Sequence, residues 1–135
     1  MANSYSSRML QFVKEGKAEL AFVNLPAKDD ELCITPCFDI HDIFVCGSDY
    51  KAKSKYTWEE IAKEPLMLLE TNSSSRKYLD ETFLSKNVTL KPQIELAVHD
   101  LLIQFASIHL GVSCIIKEFS KENLEKGTIK EMNLT

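Results

Sequence analysis

The stretch IELAVHDLLIQFASIHLGVSCII, residues 94–116, decides the fold. Ile94-Glu95-Leu96-Ala97-Val98 is a short run of strand-forming residues. Asp100 stands where a helix cap is needed, and Leu101, Leu102, Phe105 and Ile108 recur at the spacing of a helix with one apolar face. Gly111 stops that helix, and Val112-Ser113-Cys114-Ile115-Ile116 is a second, nearly continuous apolar run, as in a strand covered on both faces. Strand, amphipathic helix and buried strand make a βαβ unit.

The same alternation extends in both directions. Upstream, Thr57 with Glu60 forms a capping box, Trp58, Ile61 and Ala62 supply an inner face, and Pro65 ends the helix before the strand Leu66-Met67-Leu68-Leu69. A polar turn, Thr71-Asn72-Ser73-Ser74-Ser75, leads into a helical stripe of Tyr78, Leu79 and Phe83. Ile43-Phe44-Val45-Cys46 is another buried strand, ended by Gly47. Earlier still, Ser6 and Ser7 can cap a helix carrying Met9, Leu10, Phe12 and Val13 that Gly16 closes, and Leu20-Ala21-Phe22-Val23 reads as a further strand. Downstream, Ser120 caps a helix that Gly127 stops, and residues 128–134 read as a last short strand. Strands of four or five residues alternating with helices predict an α/β fold with a parallel, doubly wound sheet. Ligands of such sheets bind outside the carboxyl ends of the strands, where helix N-termini present free N–H groups. The positions this selects are residues 24–26, the turn from Thr71 to Ser75, and His99 with Asp100.

Composition narrows the function. The 135 residues carry 16 Lys+Arg against 20 Asp+Glu, a formal charge of −4, with 44% hydrophobic and 27% charged residues. That is ordinary globular composition, and it disfavours duplex binding by these residues alone, because counterion release needs clustered Lys and Arg. No run approaches the roughly 20 apolar residues of a membrane span. Cys33, Cys37, His41 and Cys46 have a superficially zinc-like spacing, but four residues of extended chain cover about 13 Å and the pattern lacks CxxC knuckles. The four cysteines are expected to be reduced and mostly buried in a cytoplasmic protein, with no metal and no cofactor.

Enzymatic signatures are absent: there is no GxSxG elbow, no GxGxxG or P-loop, no HExxH. His41 and His109 sit among apolar residues and read as structural. His99, between a strand and a helix, reads either as a ligand contact or as plain capping. Thr71-Asn72-Ser73-Ser74-Ser75-Arg76 has two readings as well. One short hydroxyl suffices to cap a helix, whereas five hydroxyl or amide side chains in a row also make a donor-rich cradle for a carboxylate or other small anion.

Several strings, in order, resemble one family. Met9-Leu10-Gln11-Phe12-Val13-Lys14-Glu15-Gly16 followed by Glu19-Leu20-Ala21-Phe22-Val23 is similar to the leucine-rich helix, Lys-Glu-Gly and Asp-Leu-Ala-Ile segment of LysR-type bacterial transcription regulators, in their effector-binding domain. Pro36 with residues 42–46, Thr57-Trp58-Glu59-Glu60-Ile61 with Glu64-Pro65-Leu66, and Leu110-Gly111-Val112-Ser113 resemble later segments of that domain. His109 and Ile116 depart from the family's usual Gly and Pro.

The resemblance implies a type 2 periplasmic-binding-protein-like fold: two α/β lobes with a small effector in the cleft between them. By that pattern residues 1–40 are a partial first lobe and residues 41–135 the second lobe, the chain lacking the helix-turn-helix and parts of the first lobe. The family's contacts carry over to Ser6 at the start of the first helix, Asn24 at a strand end, Thr71, Asn72, Ser73 and Ser74 at the second-lobe turn, and Gln104 in the first turn of the helix after His99, while His99 is a candidate by its own place between strand and helix. The expected protein is a non-enzymatic effector sensor, cytoplasmic and homo-oligomeric, which meets DNA only through the missing domain and no membrane. Its effector is expected to be an anion or carboxylate. The rivals are a solute-binding protein fragment of a transporter and an enzyme on a similar fold, which a mutually positioned acid and base in the cleft would revive.

Overall fold

The computed structural model describes residues 5–23 and 29–135, the side chains of Tyr5, Ser6 and Ser7 excepted. Its elements are α1 (Tyr5–Lys14), β1 (Asp42–Gly47), α2 (Trp58–Ala62), β2 (Leu66–Leu69), α3 (Ser74–Leu84), β3 (Ile94–Leu96), α4 (His99–Ser107), β4 (Val112–Ile116), α5 (Lys121–Lys126) and β5 (Ile129–Met132). Local chemistry sets most boundaries. The Thr57 hydroxyl accepts from the Glu60 N–H while the Glu60 carboxylate accepts from the Thr57 N–H, so the capping box opens α2 as expected. Gly16, at φ +74°, ends α1 with two reverse bonds, from its own N–H to the Val13 carbonyl and from the Lys17 N–H to that of Phe12. Ser120 precedes α5, but its hydroxyl donates back to the Ile116 carbonyl instead of capping the helix. Asp100 likewise is not a cap: α4 begins at His99 after Val98, which leaves Asp100 inside the first turn.

The five strands form one sheet in the order β3-β2-β4-β1-β5. β2 runs parallel to both β3 and β4, as the βαβ reading requires. The expectation of a wholly parallel sheet is corrected, because β1 pairs antiparallel with both β4 and β5. Apolar strands show that they are buried but not which way they run.

Alternation along β1 divides the core. Phe44 and Cys46 face Phe83, Leu79 and Ile61 from α3 and α2, whereas Ile43 and Val45 face Leu102, Ile103 and Ala106 from α4. Helices therefore cover both faces, in three layers. Aromatic edges lock the first face: the Phe83 ring lies 5.6 Å from Phe44 and 4.7 Å from Trp58. On the second, the buried Ser113 hydroxyl donates to the Leu102 carbonyl and ties β4 to α4.

Two expectations fail before β1. Leu20-Ala21-Phe22-Val23 is not a strand, and Leu20 and Phe22 are 74% and 72% exposed. A strand exists only with a neighbour to pair, and among the described residues every strand lies in the one sheet that starts at Asp42. The cysteines divide evenly, Cys46 and Cys114 buried but Cys33 and Cys37 exposed, so they are not mostly buried.

Candidate functional site

The carboxyl ends of β2 and β4 lie side by side, and three segments close over them. The turn after β2 leads into α3, the turn after β3 leads into α4, and Asp42 opens β1 opposite Ile116 because that strand is antiparallel. Between them is a narrow recess of about 20 Å³, lined at its polar rim by Asp42, Ser75, Arg76 and His99 and at its floor by Leu68, Cys114 and Ile115. That is room for about one water, against the several hundred Å³ of an enclosing ligand pocket. This wall can touch a small molecule on one side without surrounding it.

The serine turn forms one end. Ser73 caps α3, its hydroxyl accepting from the Arg76 N–H at 3.3 Å. Ser74 and Ser75 occupy the first helical turn, half-buried, while Thr71 and Asn72 are exposed in the preceding turn. Arg76 is buried beneath them. Its Nε donates to Asp80 at 2.9 Å and one Nη to both the Leu69 carbonyl, at 2.8 Å, and Glu95, at 2.7 Å. Those bonds pin α3 to the ends of β2 and β3, and they commit the guanidinium to two carboxylates already in the fold.

His99 forms the other end. Its Nε2 accepts the N–H of Ile116 at 2.9 Å, which requires a neutral ring, and burial lowers its pKa despite the adjacent Asp100. Edge-to-face contacts continue outward from it, to Phe119 at 6.5 Å and from Phe119 to Phe38 at 6.3 Å.

Where the chain arrives at β1 and leaves β4, Glu118 clasps His41. One carboxylate oxygen accepts the His41 N–H at 2.7 Å and the other meets its Nδ1 at 2.9 Å, while the His41 carbonyl accepts from the Lys117 N–H. The bond to the His41 ring, then that to its N–H, hold the Glu118 carboxyl below its ordinary range. Asp42 moves the other way: burial, reinforced by the Glu118 charge and opposed by His41, raises its carboxyl to about 6. Its outer surface is nevertheless exposed.

Of the sequence candidates, His99 lines the recess, whereas the serine turn reaches it only through Ser75 and Arg76, and Thr71, Asn72, Ser73 and Ser74 are not among its lining residues. Gln104 is corrected: it is the sixth residue of α4, exposed, and not in the first turn. Ser6 lies in the first turn of α1, where its side chain is outside those described, and Asn24 falls outside the described residues. Sequence reasoning misses Asp42 and Arg76 as site residues. A parallel β1 would start at the far edge of the sheet, so only its true direction brings Asp42 here. Among the described residues no group of His, Cys, Asp and Glu could hold a metal ion, and no helix is long and apolar enough to cross a membrane.

Comparison with known proteins agrees with this architecture. Over 128 residues the chain is 24% identical to the uncharacterized HTH-type transcriptional regulator YeiE of Escherichia coli K12, covering 94% of this chain and 44% of that protein. The chain thus spans less than half the length of that curated relative. Among solved structures, the regulatory domain of CcmR from Synechocystis PCC6803, in complex with 2-PG, superposes with a TM-score of 0.81 at 15% identity, over 96% of this chain and 63% of that one. The effector-binding domain of QuiR in complex with shikimate gives 0.74 at 16%, over 98% and 63%. At such identities the likeness shows the fold, which is that of LysR regulatory domains. The family itself comes from the sequence: residues 2–135 match the LysR substrate binding domain model, and the chain belongs to that family.

Proposed function

We propose that this chain is the small-molecule-sensing part of a cytoplasmic LysR-type transcription regulator, acting as a binder and not as a catalyst. The observation that carries the reading is the recess where the β2 and β4 carboxyl ends meet the α3 N-terminus, the place where open α/β sheets take their ligands. Residues 41–135 supply that wall as a second lobe, and residues 1–40 belong to a first lobe. Thr71, Asn72, Ser73 and Ser74 hold an anionic or carboxylate group of the effector, with His99 positioning the far side, and Ser6 and Asn24 serve the opposite wall. DNA is met by another part of the full-length regulator, which works as a homo-oligomer. Relatives of the same fold have been seen with 2-PG and with shikimate, which supports a small ligand.

The recess does contain an acid and an imidazole, the condition that would favour an enzyme. The two are not coupled, however: His99 Nε2 is occupied by the Ile116 N–H, and burial pushes the neighbouring Cys114 thiol well above its ordinary range, away from the thiolate. Binding is what remains. A ligand acts here by differential affinity for open and closed lobe arrangements.

A thermal-shift screen of this chain against carboxylates, amino acids, phosphate and sulfate tests the reading. A ligand at about ten times its Kd should add about 1.4 kcal/mol to stability. Replacing Ser73→Ala with Ser74→Ala should lower the starting Tm through the lost cap and abolish the ligand-dependent rise. Ligand shifts that survive the double variant would place binding elsewhere.

A further inference from the structure

The chemistry on the rim of the recess restricts which effector fits, given the effector-binding reading on which this inference rests. Asp42 lines that recess together with Ser75, Arg76 and His99. The basic groups around it are committed elsewhere: Arg76 to Asp80 and Glu95, His41 to Glu118 at 2.9 Å, and Lys117 to Glu131 at 3.3 Å. His99 is neutral, with its Nε2 engaged. Among the described residues no hydrogen bond or ion pair reaches the Asp42 carboxylate, and burial with the Glu118 charge makes its ionisation costly. A partly desolvated carboxylate with no direct ion-pair partner, offset only by His41, attracts a cationic donor.

The neighbouring surface suits the rest of such a molecule. Phe38 and Phe119, 60% and 58% exposed, meet edge to face and leave ring surface open beside His99. Aromatic faces next to a carboxylate favour an amine attached to an apolar or unsaturated body, by cation–π attraction as well as by area. We propose that the effector carries an ammonium group directed at Asp42 and an apolar body lying against Phe38 and Phe119. With an anionic group at the serine turn of α3, the ligand class is that of apolar or aromatic amino acids, and a simple dicarboxylate or inorganic anion is disfavoured by Asp42.

Three probes that share one ring separate the charges: L-phenylalanine, phenethylamine and 3-phenylpropanoate, each titrated into this chain while backbone amide shifts are followed by NMR. L-phenylalanine and phenethylamine should move the amides of Asp42, His99, Ile116 and Phe119 with Kd values in the millimolar range, and 3-phenylpropanoate should bind about tenfold more weakly. Asp42→Asn should weaken the two amines about tenfold, and Phe119→Leu, which keeps the apolar position but removes the ring, should weaken all three probes. Lowering the pH from about 7.5 to about 5 should weaken amine binding in the parent chain but not in Asp42→Asn, which separates Asp42 from the other groups facing it, His41, His99, Glu118 and Arg76. Stronger binding of 3-phenylpropanoate at the same amides would leave an effector site standing and overturn the amine. Silence of all three probes at those amides also overturns it, and the wider ligand screen then decides independently whether the recess binds anything.

Discussion

Asp42 shows how one side chain's energetics follow from chain direction. Its carboxyl rises from an ordinary 3.8 to about 6, by burial first and the Glu118 charge second. Ionisation is therefore harder in the folded chain than in the unfolded one. The stabilisation linked to the protonated group is fully present below about pH 4 and is lost as pH rises through about 6. A rise of that size corresponds nominally to about 3 kcal/mol, but the exposed outer surface of Asp42 screens the charge and leaves about 1 kcal/mol. Asp42→Asn should accordingly raise unfolding stability by about 1 kcal/mol at pH 7.5 and by almost nothing at pH 4, measured by urea titration at each pH. An equal gain at both would assign the effect to packing. In the sequence, Asp42 is one of 20 acidic residues with nothing to mark it. Arg76 is equally hidden: its burial depends on Glu95, which arrives from β3, a strand that follows α3 in the chain. The serine turn is legible because a cap needs only its own neighbours. Gln104 is misplaced because family pattern alone assigns it to the first turn of α4, whereas the helix starts at His99, one residue before the cap expected at Asp100.

At the scale of elements, several local signals read correctly where the partner is close in sequence, although the caps expected at Asp100 and Ser120 do not form. The Thr57 capping box, Gly16 at the end of α1 and Gly127 at the end of α5 all stand where the sequence puts them. Strand identity and direction behave differently, since both depend on distant partners: Leu20-Ala21-Phe22-Val23 has strand composition and no strand, and β1 has the right residues in the opposite sense. The two glycines that follow α4 and α5 make a test of local against tertiary constraint. A Cβ at Gly111 would lie 2.3 Å from the Pro65 carbonyl oxygen, which accepts the Val112 N–H and thereby seats β4 on β2. Gly127 has open space around it but a φ of +76°. Gly111→Ala should thus cost about 2–3 kcal/mol by forcing β4 from β2, and Gly127→Ala about 1 kcal/mol of backbone strain. Urea titrations of the two variants would show it, and a larger loss at Gly127 would mean that the α4–β4 turn yields more readily than the backbone contact suggests.

Over the whole molecule, exposed apolar side chains are spread along the chain, and the two most exposed, Leu20 and Phe22, precede β1. Leu20 and Phe22 stand in solvent next to backbone that is in no sheet, and Phe38 and Phe119 extend the apolar surface near the recess. Unpaired backbone with apolar side chains invites association with another chain. In sedimentation velocity the chain should be partly dimeric or larger at tens of micromolar, and Leu20→Ser with Phe22→Ser should shift it towards monomer without changing the Tm by more than about 1 °C, because neither side chain contributes to the core. A parent chain that is wholly monomeric at that concentration would refute this. Sheet order also bears on the chain as it is synthesised. β1 lies inside the sheet yet is the first of the five strands in it to be made, and both of its neighbours, β4 and β5, are the last. Ile43, Phe44, Val45 and Cys46 therefore leave the ribosome with no strand to join, while the unit from β2 to β4 can assemble from nearby contacts. The hydrophobic strand that ends up between two partners is the one that waits longest for shelter.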